Sequence, residues 1–225
     1  MNPTPSRRPS EGVVFLHGIS RSFRSLIKMQ LAVEAAGFAT RNVGYPSRQK
    51  ALSALADDIH PAITPFAEAN EGCTHFVCHS MGGLLARAYL ARHRPSRLGR
   101  VVMLGPPNGG SEIADRLKDW PLYRTYFGPA GQQLVTARDA ATETLLPAVD
   151  YAVGIIAGDR SLDPIASRFM LPGADDGRVT VARTRLDGMT DHIVIPASHA
   201  LMIRNKEAIV QTIAFLKDGR FQTVR

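Results

Sequence analysis

The sequence predicts an α/β fold, a mostly parallel sheet with helices on both faces. Three observations predict it. Short apolar runs alternate with helix-period segments from Val13 to about Lys217. Several of those runs, such as Val13–Leu16 and Arg100–Leu104, are apolar without interruption at their centres, as strands buried on both faces must be. The chain has 225 residues, 44% of them hydrophobic and 21% charged. That is one large domain, able to bury roughly 70–75% of its unfolded surface.

Residues 1–12 are polar, carry Pro3, Pro5 and Pro9, and read as a disordered lead; 13–225 read as a single domain. Val13–Leu16 is a buried strand ending at His17-Gly18. A helix follows from Ser22 to Ala36, stopped by Gly37. Phe38 to Tyr45 is the next strand, closed by Pro46. Leu52, Leu55, Ala56, Ile59 and Ile63 recur at helical spacing, and Pro61 and Pro65 should kink or fray the second half of that helix. Thr74–His79 is a strand and Met81–His93 a helix. Arg100–Leu104, Val153–Ala157 and His192–Ile195 are three more strands. The last helix spans Leu201 to Lys217, with Met202, Ile209, Ile213 and Leu216 on its inner side.

Residues 106–150 break this rhythm. They hold Pro106-Pro107, Gly109-Gly110, Trp120, Tyr123, Tyr126 and Phe127, but no clear strand. An insertion of that size inside a compact domain is more often functional than accidental, so it is predicted to cap the site. The alternative is a helical excursion whose aromatics pack on the core.

The 27 basic and 20 acidic residues give a net charge of +7, scattered along the chain. With no basic run and no interleaved aromatics, this argues for a solvated basic surface and against nucleic acid as a partner. A basic rim would favour anionic substrates or membrane surfaces. Cys73 and Cys78 lie on one strand approach, too far apart for easy bridging, and are read as reduced thiols. No apolar stretch is long enough for a signal sequence core or an integral membrane segment. A cytoplasmic protein is expected.

The chemistry centres on Cys78-His79-Ser80-Met81-Gly82. A serine at the corner between a strand and a helix is exposed, strained and close to the positive end of a helix dipole. It still needs a base, a group to orient that base, and donors for the developing oxyanion. His199, in Ser198-His199-Ala200, follows the His192–Ile195 strand and is the candidate base. His192 reads as structural, and His17 and His79 as neighbours of the site. Asp175 and Asp176 sit in a turn-rich loop after Val153–Ala157; Asp159 and Asp163 lie nearer the strand end and compete with them. Loops at the carboxyl ends of parallel strands share one edge of the sheet, so these groups can meet. The Met81 N–H, in the first turn of a helix, and the Ile19 N–H, after Gly18, are the candidate oxyanion donors. Ile19, Met81 and Leu201 should make the acyl pocket apolar.

These residues resemble the serine lipases and esterases of the α/β-hydrolase superfamily. Leu16-His17-Gly18 is similar to the family's oxyanion strand, and His79-Ser80-Met81-Gly82-Gly83 to its nucleophile elbow. Asp176-Gly177-Arg178-Val179 resembles the Asp-Gly-x-Val loop that carries the acid in bacterial lipases, which favours Asp176 over Asp175. The order Ser80, Asp176, His199 is the family's order. The resemblance spans Val13 to Phe215 and implies an eight-stranded, mostly parallel sheet, trimmed at its N-terminal edge. Two departures stand out. Cys78 occupies a position that is usually glycine, and Leu201 occupies the place where some bacterial lipases carry a calcium-binding Asp. No metal site and no cofactor is therefore expected. The expected activity is hydrolysis of small-molecule carboxylic esters with hydrophobic acyl groups through an acyl-enzyme. A thioesterase, amidase or acyltransferase would share these motifs, and a non-catalytic binding protein on the same fold is the competing class.

Overall fold

The structure, a computed structural model, describes residues 11–223. The expected disordered lead lies outside the described residues except for Glu11 and Gly12, and Gly12 already opens the first strand.

The elements, in chain order, are β1 (Gly12–Leu16), α1 (Ile27–Ala35), β2 (Ala39–Val43), α2 (Leu52–Ala69), β3 (Thr74–His79), α3 (Met81–Arg92) and β4 (Leu98–Leu104). Then come α4 (Glu112–Leu117), α5 (Pro121–Gln132), α6 (Ala140–Leu145), β5 (Val153–Gly158), α7 (Pro164–Met170), α8 (Val181–Thr184), β6 (Asp191–Ile195) and α9 (Lys206–Asp218). Among the described residues six strands form one sheet in the order β2-β1-β3-β4-β5-β6, every pair parallel.

The sheet is covered on both faces because its central strands are apolar on both. Val14, Leu16, Phe76, Cys78, Val101 and Met103 pack under α2 and α3. The alternate residues, including Val13, Phe15, Val77 and Val102, pack on Met29 and Val33 of α1 and Phe215 and Leu216 of α9. Period-2 alternation thus sends successive side chains into two different cores.

The register brings the strand ends level. Leu16 pairs with Cys78, Cys78 with Met103, Met103 with Ile155 and Ile155 with His192. The chain leaves β1 for β2 on one side and returns to β3 on the other. The loops after β1 and β3 therefore diverge and open a crevice at their carboxyl ends.

Three expectations need correcting. Helix α2 runs unbroken through Pro61 and Pro65. Both prolines are exposed, so the carbonyls they leave unbonded face water, while Leu52, Leu55, Ile59 and Ile63 hold the opposite face to the sheet. The last helix begins at Lys206 rather than Leu201, because Asn205 Oδ1 accepts from the Glu207 and Ala208 N–H groups at 2.8 and 3.1 Å and caps it. Its core side is Ala208, Thr212, Phe215 and Leu216, with Ile209 and Ile213 only partly buried. Finally, the helix expected from Ser22 starts with a tight 3-10 turn, Phe23–Leu26, before α1.

Candidate active site

Ser80 is the junction residue between β3 and α3, with φ 55° and ψ −127°. A non-glycine residue at positive φ is strained by about 1–3 kcal/mol and persists only where its surroundings dictate it. Here the Ser80 N–H donates to Leu104 O at 2.8 Å, and Ser80 O accepts from the Gly83 N–H at 2.9 Å. Cys78, two residues earlier, is fully buried in the core, and burial pushes its thiol pKa up. It is a packing thiol, not a nucleophile.

His199 Nε2 lies 2.9 Å from Ser80 Oγ, and His199 Nδ1 lies 2.7 Å from Asp176 Oδ2. With Nδ1–H donating to the carboxylate, Nε2 is left to accept from the serine hydroxyl. The Asp176 side chain is fully buried. Its Oδ1 accepts from the N–H groups of Arg178 and Val179 at 2.9 and 2.8 Å, and its backbone O accepts from the His199 N–H at 2.9 Å. These bonds hold the carboxylate in one orientation.

The carboxylate at His199 Nδ1 is that of Asp176, and Asp175 and Asp159 have other partners. Asp175 Oδ1 accepts from the Gly177 N–H at 2.7 Å and from the Ser167 hydroxyl. Asp159 pairs with Arg160 at 3.6 Å. His192 Nε2 contacts Thr184 Oγ1 at 2.9 Å and has a structural place.

His79 lies beside the pair, its ring centroid 4.9 Å from that of His199. Burial first, then the nearby positive charges, hold its pKa well below the ordinary value. It is neutral, and its Nε2–H donates to His199 O at 3.0 Å. His17 stacks on Tyr45 with ring centroids 4.0 Å apart, and the Tyr45 hydroxyl donates to His17 O.

The Met81 and Ile19 N–H groups have no acceptor among the described residues. Gly18 brings the second of these close: a Cβ there would lie 3.1 Å from Ser80 Cβ. The Met81 N–H opens α3, where the dipole favours negative charge.

A cleft of about 460 Å³ includes Ser80, His199, Gly18 and Ile19. Ala114, Leu117, Tyr123, Tyr126, Phe127 and Leu134, all from the 106–150 segment, supply its apolar wall. That segment contains the helices α4, α5 and α6. Two pocket expectations fail. The Met81 side chain is wholly buried in the core, and Leu201 is 53% exposed and lines no part of the cleft. The turn after His199 buries Met202 and Ile203 instead, which leaves Leu201 outside. Gly105, packed against Asp176 and His199, and Arg21 and Arg178, on the cleft wall, also belong to the site and carry no motif that singles them out in the sequence.

The sheet order, the divergent loops and the strained serine at a strand-helix corner define an α/β hydrolase. The family model for the alpha/beta hydrolase fold matches residues 13–140, and the chain belongs to that family. Among characterised proteins it is similar to the lysosomal thioesterase PPT2 of Bos taurus, 24% identical over 84% of this chain and 70% of that protein. Among solved structures it resembles the mature lipase BlEst2 of Bacillus licheniformis, at 20% identity and a TM-score of 0.73, over 96% of this chain and 93% of the lipase. It also resembles BorB, a type II thioesterase from the borrelidin biosynthetic cluster, at 16% identity and a TM-score of 0.60, over 96% and 94% of the two chains. Among the described residues no helix is long and apolar enough to cross a membrane.

Proposed function

We propose that this chain hydrolyses carboxylic esters with a hydrophobic acyl group through an acyl-enzyme on Ser80. The observation that carries this reading is the relay from Ser80 Oγ to His199 Nε2 at 2.9 Å and from His199 Nδ1 to Asp176 Oδ2 at 2.7 Å. Ser80 Oγ attacks the carbonyl carbon while its proton passes to His199 Nε2. The carbonyl oxygen becomes an oxyanion held by the N–H groups of Ile19 and Met81, and Asp176 stabilises the imidazolium. The tetrahedral species collapses as His199 gives the proton to the leaving oxygen, which departs as an alcohol. Water then attacks the acyl-enzyme with His199 as base, the carboxylic acid leaves, and the proton returns to Ser80 Oγ. The acyl chain lies along Leu117, Tyr126, Phe127 and Leu134, with the 106–150 segment as its cap.

Thioester hydrolysis is the second reading. It is favoured by the similarity to a lysosomal thioesterase and to BorB, and the chemistry differs only in the leaving atom. Hydrolysis of p-nitrophenyl esters and of acyl thioesters, with Ser80→Ala as control, tests both. Labelling by a fluorophosphonate probe separates either from a non-catalytic binder, which should not react.

A further inference from the structure

Two clefts meet at His199. The first is the 460 Å³ cleft that contains Ser80; the second, of about 360 Å³, lies between the Asp176 loop and α7. Arg21, Arg178 and His199 line both. The first cleft has no carboxylate on its wall. On the second, Asp176 is committed to His199, and Asp163 stands just before α7. Neither guanidinium has a hydrogen-bond or ion-pair partner among the described residues.

The groups that build the reacting centre also place these two arginines. Arg178 is two residues beyond Asp176: its N–H donates to Asp176 Oδ1 at 2.9 Å, and its O accepts from Ser111 Oγ at 3.0 Å. Arg21 is two residues beyond Ile19. Its N–H donates to Gly18 O at 3.2 Å, and the preceding Ser20 sits at φ 57° with its N–H bonded to Ser47 Oγ at 3.1 Å. A strained non-glycine turn held by a side chain from another loop fixes the direction in which the chain reaches Arg21.

We propose that Arg21 and Arg178 form an anion subsite at the seam of the two clefts, and that the substrate is an ester or thioester whose leaving group carries phosphate. This rests on the hydrolase reading above. The wall that the 106–150 segment gives the first cleft is mostly apolar and takes the acyl chain. The seam is where His199 must hand its proton to the leaving atom, so the charged part of the substrate is the leaving group. Two separate guanidinium groups suit an anion with several charged oxygens, for which arginine is the preferred partner. The physics of the step points the same way. An imidazolium forms on His199 during attack, and unpaired positive charge beside it opposes that. An anion between the arginines offsets the opposition. Arg21 already acts at this range, since its charge is among the causes, after burial, that keep the neighbouring His79 neutral.

The test compares kcat/KM within two matched pairs. One pair is octanoyl-coenzyme A and octanoyl-N-acetylcysteamine; the other is monooctanoyl glycerol phosphate and monooctanoyl glycerol. The wild type should prefer the phosphate-bearing member of at least one pair by about tenfold or more. That preference should fall as salt is raised. It should shrink in Arg21→Gln and in Arg178→Gln and collapse towards unity in the double variant. The pair that shows it tells a thiol from an alcohol leaving group. Ser80-dependent cleavage with a ratio near one in both pairs, or a ratio untouched by the double substitution, overturns the subsite and leaves the hydrolase reading standing. Failure to cleave any of the four in a Ser80-dependent manner overturns that reading, and the subsite with it.

Discussion

Gly105 packs against the carboxylate of Asp176: a Cβ built there would lie 3.0 Å from Asp176 Oδ2 and 3.1 Å from His199 Nδ1. The residue sits at φ +55° just past β4, with its N–H bonded to Ile156 O at 2.9 Å. Its neighbour Leu104 accepts the Ser80 N–H. The turn leaving β4 therefore braces Ser80 on one side and the Asp176–His199 pair on the other, and glycine suits both the positive φ and the tight space.

Gly105→Ala should consequently fold with a penalty of about 1–2 kcal/mol and lose at least about tenfold in kcat. The two effects have separate readouts, urea unfolding and ester turnover. Wild-type kcat in a folded Gly105→Ala would show that the relay tolerates displacement.

The strain at Ser80 predicts a difference between two inactive variants. Ser80→Ala removes the hydroxyl but keeps a side chain at φ 55°, whereas glycine adopts that conformation without steric cost. Ser80→Gly should therefore be more stable than Ser80→Ala by about 1 kcal/mol, although glycine also loosens the unfolded chain. Chemical denaturation of the two proteins decides it. Equal stability would mean that the elbow stores no strain.

The strain at Ser80 and the close packing at Gly105 lie at the boundary of what the sequence disclosed. The elbow was legible because it is local: an apolar run, a small-residue turn and a helix-period segment adjoin one another around Ser80. His199 and the Asp175-Asp176 loop were legible because their positions after strands follow from the parallel architecture. The choice between the two aspartates needed a resemblance in sequence and then coordinates, since one-residue offsets in a turn decide which carboxylate faces the imidazole. Gly105 and Arg21 left no signal, because what defines them is a neighbour contributed by a distant loop. Helix α7 and the short α8 were missed for a different reason. Pro164–Met170 and Val181–Thr184 are too brief to show a period. The uninterrupted α2 shows tertiary burial overriding a local proline penalty.

Asp176 and Asp175 should separate cleanly by mutation. Asp176→Asn replaces the acceptor of His199 Nδ1–H by a group that can present a donor, disturbing the tautomer on which Nε2 depends. In a serine-protease triad the same change costs about 10⁴ in kcat, and a loss of roughly 10³–10⁴ is expected here. Asp175→Asn instead weakens bonds to Gly177 N and Ser167 Oγ, so it should lower stability by about 1–2 kcal/mol and reach kcat only through the loop. Steady-state kinetics and thermal unfolding on both variants check this. A larger kcat loss in Asp175→Asn would exchange the roles.

Acid should destabilise the fold through its buried histidines. Burial is the first cause in each of His17, His75, His79 and His192, and it lowers each pKa from the ordinary value near 6.5. Between that value and the lower native one, the unfolded chain binds protons that the native chain does not. Stability therefore rises with pH in this window and is lost as pH falls below about 6.5, at up to about 1.4 kcal/mol per pH unit for each group. Urea midpoints measured at pH 7.5, 6.0 and 5.0 should decrease in that order. His17→Phe removes one titrating group and a buried Nε2 that has no partner, and it keeps an aromatic ring against Tyr45, although the 2.9 Å contact of Nδ1 with Gly18 O is lost. Its midpoint should depend less steeply on pH than that of the wild type. A slope unchanged by the substitution would mean that His17 stays neutral in the unfolded chain as well, or that it protonates in place without cost.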